Sequence, residues 1–275
     1  MPELPEVETV RRGLQPLEGA TLERIVVRES RLRRRVSVAA LRALTGRVVA
    51  PLDRRAKYLL MPMVGGGGMI VHLGMSGRLL LAGSGDALDR HDHLSWWFKK
   101  RGTTIELRFR DPRRFGSVTV LQRGQLRDHP LLEKLGPEPL EGEFTADYAF
   151  ARSRRSRRPV KNALMDARFV VGVGNIYASE ALWGARINPK VAAGRISRRR
   201  WGELVGAVRD VLRRAVAAGG TTLNDFFGAR GDPGYFQVRL RAYGRDGEPC
   251  RRCGASIRRI VQAGRATYYC PACQH

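Results

Sequence analysis

The sequence predicts an α+β chain: a β-rich first half, a helical second half and a small metal-bound ribbon at the end. Three observations carry this. Between residues 21 and 121, short apolar runs recur between glycine, proline and aspartate turns, the spacing of a β-sandwich. From 198 to 217, Trp201, Leu204, Val205, Val208, Val211, Leu212 and Val216 fall at three- and four-residue steps, one face of an amphipathic helix. The cysteines are Cys250, Cys253, Cys270 and Cys273, two C-x-x-C pairs separated by sixteen residues, the spacing of a four-thiolate zinc site.

The elements follow in order. Pro5 at a first helical position, with Glu6 and Glu8 in the first turn, marks a short N-terminal helix. Strands are expected at 21–27, 57–63, 69–73, 94–98, 104–110 and 117–121. The run 104–110 alternates apolar and polar strictly, the period of a half-buried strand. Gly136-Pro137-Glu138-Pro139 and Glu141-Gly142 suggest a linker, so domains are placed at 1–135 and 151–235, joined by 136–150, with a ribbon at 241–275. A helix is expected at 175–185, where Asn175 also suits an N-cap, and another at 198–217, with Ser197 as N-cap and Gly219-Gly220 as stop. Glycines punctuate 219–236, which reads as a loop. In the ribbon, 256–262 and 266–269 are the strands and Ala263-Gly264-Arg265 the turn.

Composition narrows the function. Fifty Lys and Arg against 26 Asp and Glu leave a net charge of +24. That argues against an enzyme of small cations and for a polyanionic partner, since clustered cations bind phosphate backbones by releasing counterions. No stretch reaches the roughly 18 apolar residues of a membrane span. The start Met1-Pro2-Glu3-Leu4-Pro5-Glu6 lacks a basic region and an apolar core, so no signal peptide is expected. Cysteines clustered in an otherwise thiol-free chain indicate a metal site in a reducing compartment rather than a disulfide framework. Four thiolates close the coordination sphere, so the zinc is structural. Arg251, Arg252, Arg258, Arg259 and Arg265 surround it, which suits a nucleic-acid-contacting ribbon; a ribbon that only stabilises the C-terminus is the plainer alternative.

The N-terminus offers a nucleophile. Initiator Met is removed when the next residue is small, and removal here would free the secondary amine of Pro2. An α-amine is less basic than a lysine ammonium, and the positive end of the following helix lowers its basicity further. Such an amine attacks a sugar aldehyde carbon to give an iminium, which is covalent catalysis. Glu3 stands beside it as an acid/base candidate. Taken alone, the same residues also suit an ordinary Pro/Glu helix start.

Resemblance adds to this. The opening Pro2-Glu3-Leu4-Pro5-Glu6-Val7-Glu8-Thr9 resembles the N-terminal signature of the formamidopyrimidine-DNA glycosylases, bacterial repair enzymes that remove oxidised purines. The likeness continues through Arg55-Ala56-Lys57-Tyr58-Leu59-Leu60, His72-Leu73-Gly74-Met75-Ser76-Gly77 and His91-Asp92-His93. It goes on through Asp111-Pro112-Arg113-Arg114-Phe115-Gly116, Val171-Gly172-Val173-Gly174-Asn175-Ile176-Tyr177-Ala178 and the ribbon, covering nearly the whole chain in the family's order.

The resemblance implies a base excision repair glycosylase and abasic-site lyase with an N-terminal β-sandwich, a helix–two-turn–helix domain and a zinc ribbon. It implies that Pro2 forms the Schiff base, that Glu3 assists base departure and ring opening, and that Lys57 serves β-elimination. Arg265 would bind phosphate and serve δ-elimination. It places His91, Arg113 and Asn175 on DNA, with Met75, Arg113 and Phe115 filling the gap left by an extruded base. The family's lysine-containing contact near the start of the C-terminal domain aligns ambiguously in 152–161, and Arg155 or Arg157 is the match. From its own residues the glycine-rich 219–236 segment, with Thr221, Thr222 and Tyr235, reads as a loop that closes over the lesion base; a surface connection between the helices and the ribbon is the plainer alternative. The expected partner is double-stranded DNA containing oxidised bases, met by a monomer in the bacterial cytoplasm, associated with the nucleoid and not with membranes; the one ion is Zn2+. An endonuclease VIII-like enzyme for oxidised pyrimidines is the near alternative. Leu4, the separate Met75 and Arg113/Phe115 wedges and the long 219–236 loop favour the purine-type member. A non-catalytic zinc-ribbon DNA-binding protein is the alternative of a different class.

Overall fold

The computed structural model describes residues 1–83, 85–125, 128–221 and 240–275. They form two compact units. The first holds 1–133 together with 219–221, and the second holds 134–218 and 240–275.

The first unit begins with helix α1 (Leu4–Gly13), whose N-cap is Glu3, with Pro5 inside the first turn. Strand β1 (Thr21–Val27) follows, then the short helix α2 (Val38–Arg42) and the edge strand β2 (Asp53–Arg55). The remaining strands are β3 (Tyr58–Pro62), β4 (Gly68–His72), β5 (Arg78–Ala82), β6 (Asp92–Lys100), β7 (Thr103–Arg110) and β8 (Ser117–Leu121). They pair into two antiparallel sheets, ordered β1-β6-β7-β5 and β2-β3-β4-β8. Leu22, Leu94, Trp96, Phe98 and Phe109 of one sheet join Leu59, Met61, Met69, Val71 and Val118 of the other in a single buried cluster. Alternating apolar residues thus give each sheet one inner face, and the two faces bury one another. α1 closes the same core through Val7 and Val10 and packs on β2 and β3.

The second unit holds α3 (Ala146–Ser153), α4 (Val160–Leu164), α5 (Asn175–Gly184) and α6 (Arg198–Ala217). Ser197 accepts from the Arg200 N–H and caps α6, as its position before the apolar stripe predicts. α5 is buried from Ile176 through Trp183, which is why it shows no polar face in the sequence. It packs on α4, α6 and the ribbon hairpin of β9 (Arg258–Gln262) and β10 (Arg265–Tyr269).

Three local expectations change. The proline-rich segment after residue 135 is no free tether: Gly136 donates its N–H to Ala167, Val171 donates to Pro137, and Glu138 and Phe144 are buried. Its prolines restrict the backbone, and it packs within the second unit. α5 is capped by Gly174, not Asn175; the asparagine is the first helical residue and its side chain is used elsewhere. Arg265 is not in the ribbon turn but opens β10, paired with Gln262, because Ala263 and Gly264 both take left-handed backbone angles and complete a two-residue turn by themselves. Among the described residues no helix is long and apolar enough to cross a membrane.

Candidate functional site

In the first unit the catalytic candidates gather at the N-terminus of α1. Glu3 is 3% exposed, Pro2 is half-buried and Met1 is exposed. The backbone N–H of Glu3 donates to Glu6 Oε2 at 2.8 Å. Glu6 Oε1 in turn accepts from the N–H of Thr221 at 2.8 Å and from its hydroxyl at 3.0 Å. One buried carboxylate therefore holds the residue after Pro2 and the start of the 219–236 segment. Beyond Thr221 that segment, with Thr222 and Tyr235, lies outside the described residues.

Lys57 occupies the turn between β2 and β3, after Ala56 in a left-handed conformation. α1 is fastened to this hairpin: Arg11 donates to the carbonyl of Leu52 at 3.2 Å, and Glu8 pairs with Arg54 at 3.5 Å. On the neighbouring strand the His72 ring packs against Tyr58, centroids 5.0 Å apart and planes tilted by 54°, and its Nδ1 accepts the N–H of Gly74 at 3.0 Å. Burial, with Arg33 and Lys57 nearby, pulls His72 down to about 4, so at neutral pH the ring is an uncharged acceptor.

Met75 and Phe115 are among the exposed large apolar side chains, at 41% and 44%. Both side chains therefore stand outside the core, where the gap-filling expectation needs them. The Arg113 guanidinium lies 4.8 Å from the centroid of the Phe115 ring. Behind them, Asp111 is fully buried. Its Oδ1 accepts the Ser76 hydroxyl at 2.6 Å, and its Oδ2 accepts the N–H of Gly116 at 2.8 Å. Ser76 Oγ also accepts from the N–H of Arg113 at 3.2 Å. The N–H of Asp111 donates to the carbonyl of His91 at 3.1 Å. One residue thereby joins the segments that carry Met75, His91, Arg113 and Phe115, its carboxylate holding Ser76 and Gly116 and its backbone N–H holding His91. The two loops approach so closely that a Cβ on Gly74, which has φ +67, would meet the Phe115 backbone at 2.4 Å.

In the second unit the Asn175 side chain reaches the first residues of β10, beside the hairpin turn and next to Arg265. Asn175 Nδ2 donates to the carbonyl of Ala266 at 3.0 Å, and Arg265 itself is exposed. Arg155 and Arg157 lie exposed between α3 and α4, Arg155 in a left-handed conformation; among the described residues no hydrogen bond fixes either side chain to Asn175 or Arg265. Glu180, buried in α5, accepts the N–H groups of Arg241, Ala242 and Tyr243 at 2.8–2.9 Å and so anchors the chain as it enters the ribbon. Burial pushes its carboxyl upward against those three donors.

The four cysteines fit zinc. One ligand atom from each lies within 4.8 Å of all the others. Cys253 and Cys270 sulfurs are 3.5 Å apart, too far for a disulfide bond. Burial and the neighbouring thiols push Cys273 up to about 12. Cys250 is drawn down to about 6, because backbone N–H groups and the Trp183 indole, 3.4 Å away, outweigh its burial. Crowded sulfurs that cannot all ionise together call for a cation among them, and a soft four-sulfur set suits Zn2+. The ion would hold the ends of the hairpin and has no open position for chemistry.

Comparisons with known proteins agree with this geometry. Residues 1–118 match the family model described as the formamidopyrimidine-DNA glycosylase N-terminal domain, 135–226 its H2TH domain, and 247–275 a zinc finger found in FPG and IleRS. The formamidopyrimidine-DNA glycosylase of Halorhodospira halophila is 51% identical, with both chains covered completely. The crystal structure of the MutM (Fpg) protein of Thermus thermophilus superposes with a TM-score of 0.87 at 42% identity, covering 99% of this chain and 98% of that one. A mutant Lactococcus lactis Fpg, solved with Fapy-dG-containing DNA, gives 0.91 at 34% identity with both chains fully covered. The fold and its zinc ribbon are those of a base excision repair enzyme, a DNA glycosylase with abasic-site lyase activity. Within that class the chain belongs to the formamidopyrimidine-DNA glycosylase family.

Proposed function

We propose that Pro2 is the nucleophile through which this glycosylase excises oxidised purines, 8-oxoguanine and formamidopyrimidines, from double-stranded DNA and then cleaves the abasic site. The observation that carries the assignment is the proline-led helix start: Pro2 directly precedes an N-cap glutamate that is itself buried. Once Met1 is removed, the Pro2 nitrogen lone pair attacks C1′ and the C1′–base bond breaks. Glu3 delivers the proton that opens the sugar ring at O4′. The resulting iminium is the electron sink for two eliminations. Loss of a C2′ proton, assisted by Lys57, expels the 3′ phosphate, and δ-elimination at Arg265 expels the 5′ phosphate. A one-nucleotide gap with phosphate ends remains.

The binding roles follow the same division. Met75, Arg113 and Phe115 fill the vacated stack, since apolar groups replace stacking without losing hydrogen bonds. His91, Asn175 and Arg265 grip phosphates, with Arg155 or Arg157 as a further contact. The 219–236 segment holds the extruded base, and the protein acts as a monomer. We place it in the cytoplasm on the nucleoid, where its +24 charge and its substrate agree.

The test is borohydride reduction on duplex carrying 8-oxoguanine, followed by mass spectrometry of the cross-linked peptide. The adduct is expected on the α-amine of Pro2, in protein whose intact mass lacks Met1. An adduct on Lys57 would overturn the assignment.

A further inference from the structure

Lys161 is a cation the reaction above does not use, and the chain buries it completely. It lies in α4, at the end of the basic stretch that the sequence suggests for a direct DNA contact. A side chain without solvent exposure cannot be that contact. Its ammonium donates to three oxygens: Asn175 Oδ1 at 2.5 Å, the Ala266 carbonyl at 3.1 Å and the Thr267 hydroxyl at 2.6 Å. Thr267 is fully buried and its hydroxyl lies 3.5 Å from the Arg265 carbonyl, to which it donates. Thus one ammonium ties together the start of α5 and the start of β10, the two places that carry Asn175 and Arg265.

The chemistry of the donors fixes an orientation. An ammonium has hydrogens and no acceptor, so the Asn175 atom facing it must be Oδ1. That forces the amide nitrogen to the other side, where one of its hydrogens reaches the Ala266 carbonyl. The second hydrogen has no partner among the described residues and is available to an anion. Without the ammonium the amide could turn over and present its oxygen, which would repel a phosphate.

We infer that Lys161 is a positioning residue for the DNA grip: it sets the Asn175 amide with its donor toward phosphate and fastens the strand end from which Arg265 projects. The inference rests on the phosphate roles given to Asn175 and Arg265. It differs from a purely structural role, because it predicts that the effect of losing Lys161 passes through those two side chains.

A double-mutant cycle decides this. Binding is measured on a duplex carrying a reduced, uncleavable abasic site, with zinc content and thermal melting recorded for each protein. Lys161→Met should weaken binding about tenfold, the loss of one hydrogen bond to a charged group. In an Asn175→Ala, Arg265→Ala background the same substitution should cost less than about twofold, since the side chains it positions are gone. On a cleavable abasic site at saturating protein, Lys161→Met should shift products from δ- toward β-elimination. Equal losses in both backgrounds would overturn the inference and leave the phosphate roles standing. Wild-type binding by the Asn175→Ala, Arg265→Ala protein would overturn those roles and the inference with them. Should Lys161→Met fail to retain zinc, Thr267→Ala is the second variant: it cuts the tie to Arg265 alone, so it should shift the product ratio while Asn175-dependent binding persists. An unchanged ratio in Thr267→Ala would overturn the tie.

Discussion

In the N-terminal unit the loops that carry Met75, Arg113 and Phe115 are tied to a buried carboxylate, Asp111. In the C-terminal unit the elements that carry Asn175 and Arg265 are tied to a buried ammonium, Lys161. The contrast follows from what faces each group. Around Asp111 the loops present donors, the Gly116 N–H and the Ser76 hydroxyl. Around Lys161 the helix and hairpin present oxygens. A buried charge is tolerated only where partners of opposite polarity saturate it. Glu180 obeys the same rule inside the second unit, where three N–H groups converge. The outcomes differ: the acid leaves Met75 and Phe115 exposed on well-fastened loops, whereas the ammonium takes up oxygens and leaves one N–H of Asn175 for the phosphate proposed above.

The largest expected effect breaks the second half of this comparison alone. Chelation of zinc, or Cys250→Ser, frees the hairpin that Lys161 fastens. DNA affinity should fall by roughly 100-fold or more, since each charge-assisted hydrogen bond to phosphate contributes about 1.5–3 kcal/mol. The first unit, whose core contains no cysteine, should keep its resistance to proteolysis. If metal-free protein bound DNA as before, the ribbon would have no part in the grip.

Asp111→Ala attacks the other half. Removing the acceptor strands the Gly116 N–H and the Ser76 hydroxyl in a dry site, at a cost of about 3 kcal/mol in urea unfolding. Asp111→Asn keeps one acceptor but points an N–H at a donor, so an intermediate loss is expected. Equal stability of Asp111→Ala and wild type would show that the loops hold themselves.

The sequence made the scaffold legible more readily than these organisers. Strand and helix periods are local, so β7 and α6 lie where alternation and three-to-four spacing place them. The cysteine pairs likewise announce a metal within one short stretch. Lys161 and Asp111 look like surface charges in a chain already rich in them. Their partners lie far along the sequence, 35 residues from Asp111 at Ser76 and 106 from Lys161 at Thr267. For the same reason Asn175 resembles a cap until the acceptor at Ala266 is known. The brief helices α3 and α4 are too short to establish a period. The 136–150 segment reads as a linker because partners of its first residues, near 167–171, lie beyond it.

A smaller effect concerns His72, a neutral acceptor in the first unit. Its folded value near 4 lies below the roughly 6.5 of an unfolded histidine. Between those values the unfolded chain binds the proton and the folded chain does not. This contribution is therefore complete above about pH 6.5 and is lost as pH falls toward 4, amounting to about 2 kcal/mol after allowance for partial exposure. His72→Asn retains an acceptor for Gly74 but does not titrate. The stability difference between wild type and variant should change across that window, with wild type losing ground as pH falls. A constant difference would mean that His72 is not held neutral.

The smallest effect on stability is the sharpest test of how the wedges are held. Met75 and Phe115 project into solvent, and Asp111, not their own packing, fixes the loops beneath them. Met75→Ala and Phe115→Ala should therefore each change unfolding free energy by less than about 0.5 kcal/mol. Their effect should appear only where a stack must be filled. Excision of 8-oxoguanine from duplex should slow on the order of tenfold, because unstacking a base costs a few kcal/mol that the wedge no longer offsets. Cleavage of a pre-formed abasic site, where no base has to be extruded, should slow much less. Urea midpoints and single-turnover rates on the two substrates separate the possibilities. A stability loss near that of Asp111→Ala would mean that the side chains are part of the loop's support, and the division between organiser and wedge would fail. Equal slowing on both substrates would assign them to DNA binding in general and remove the gap-filling role.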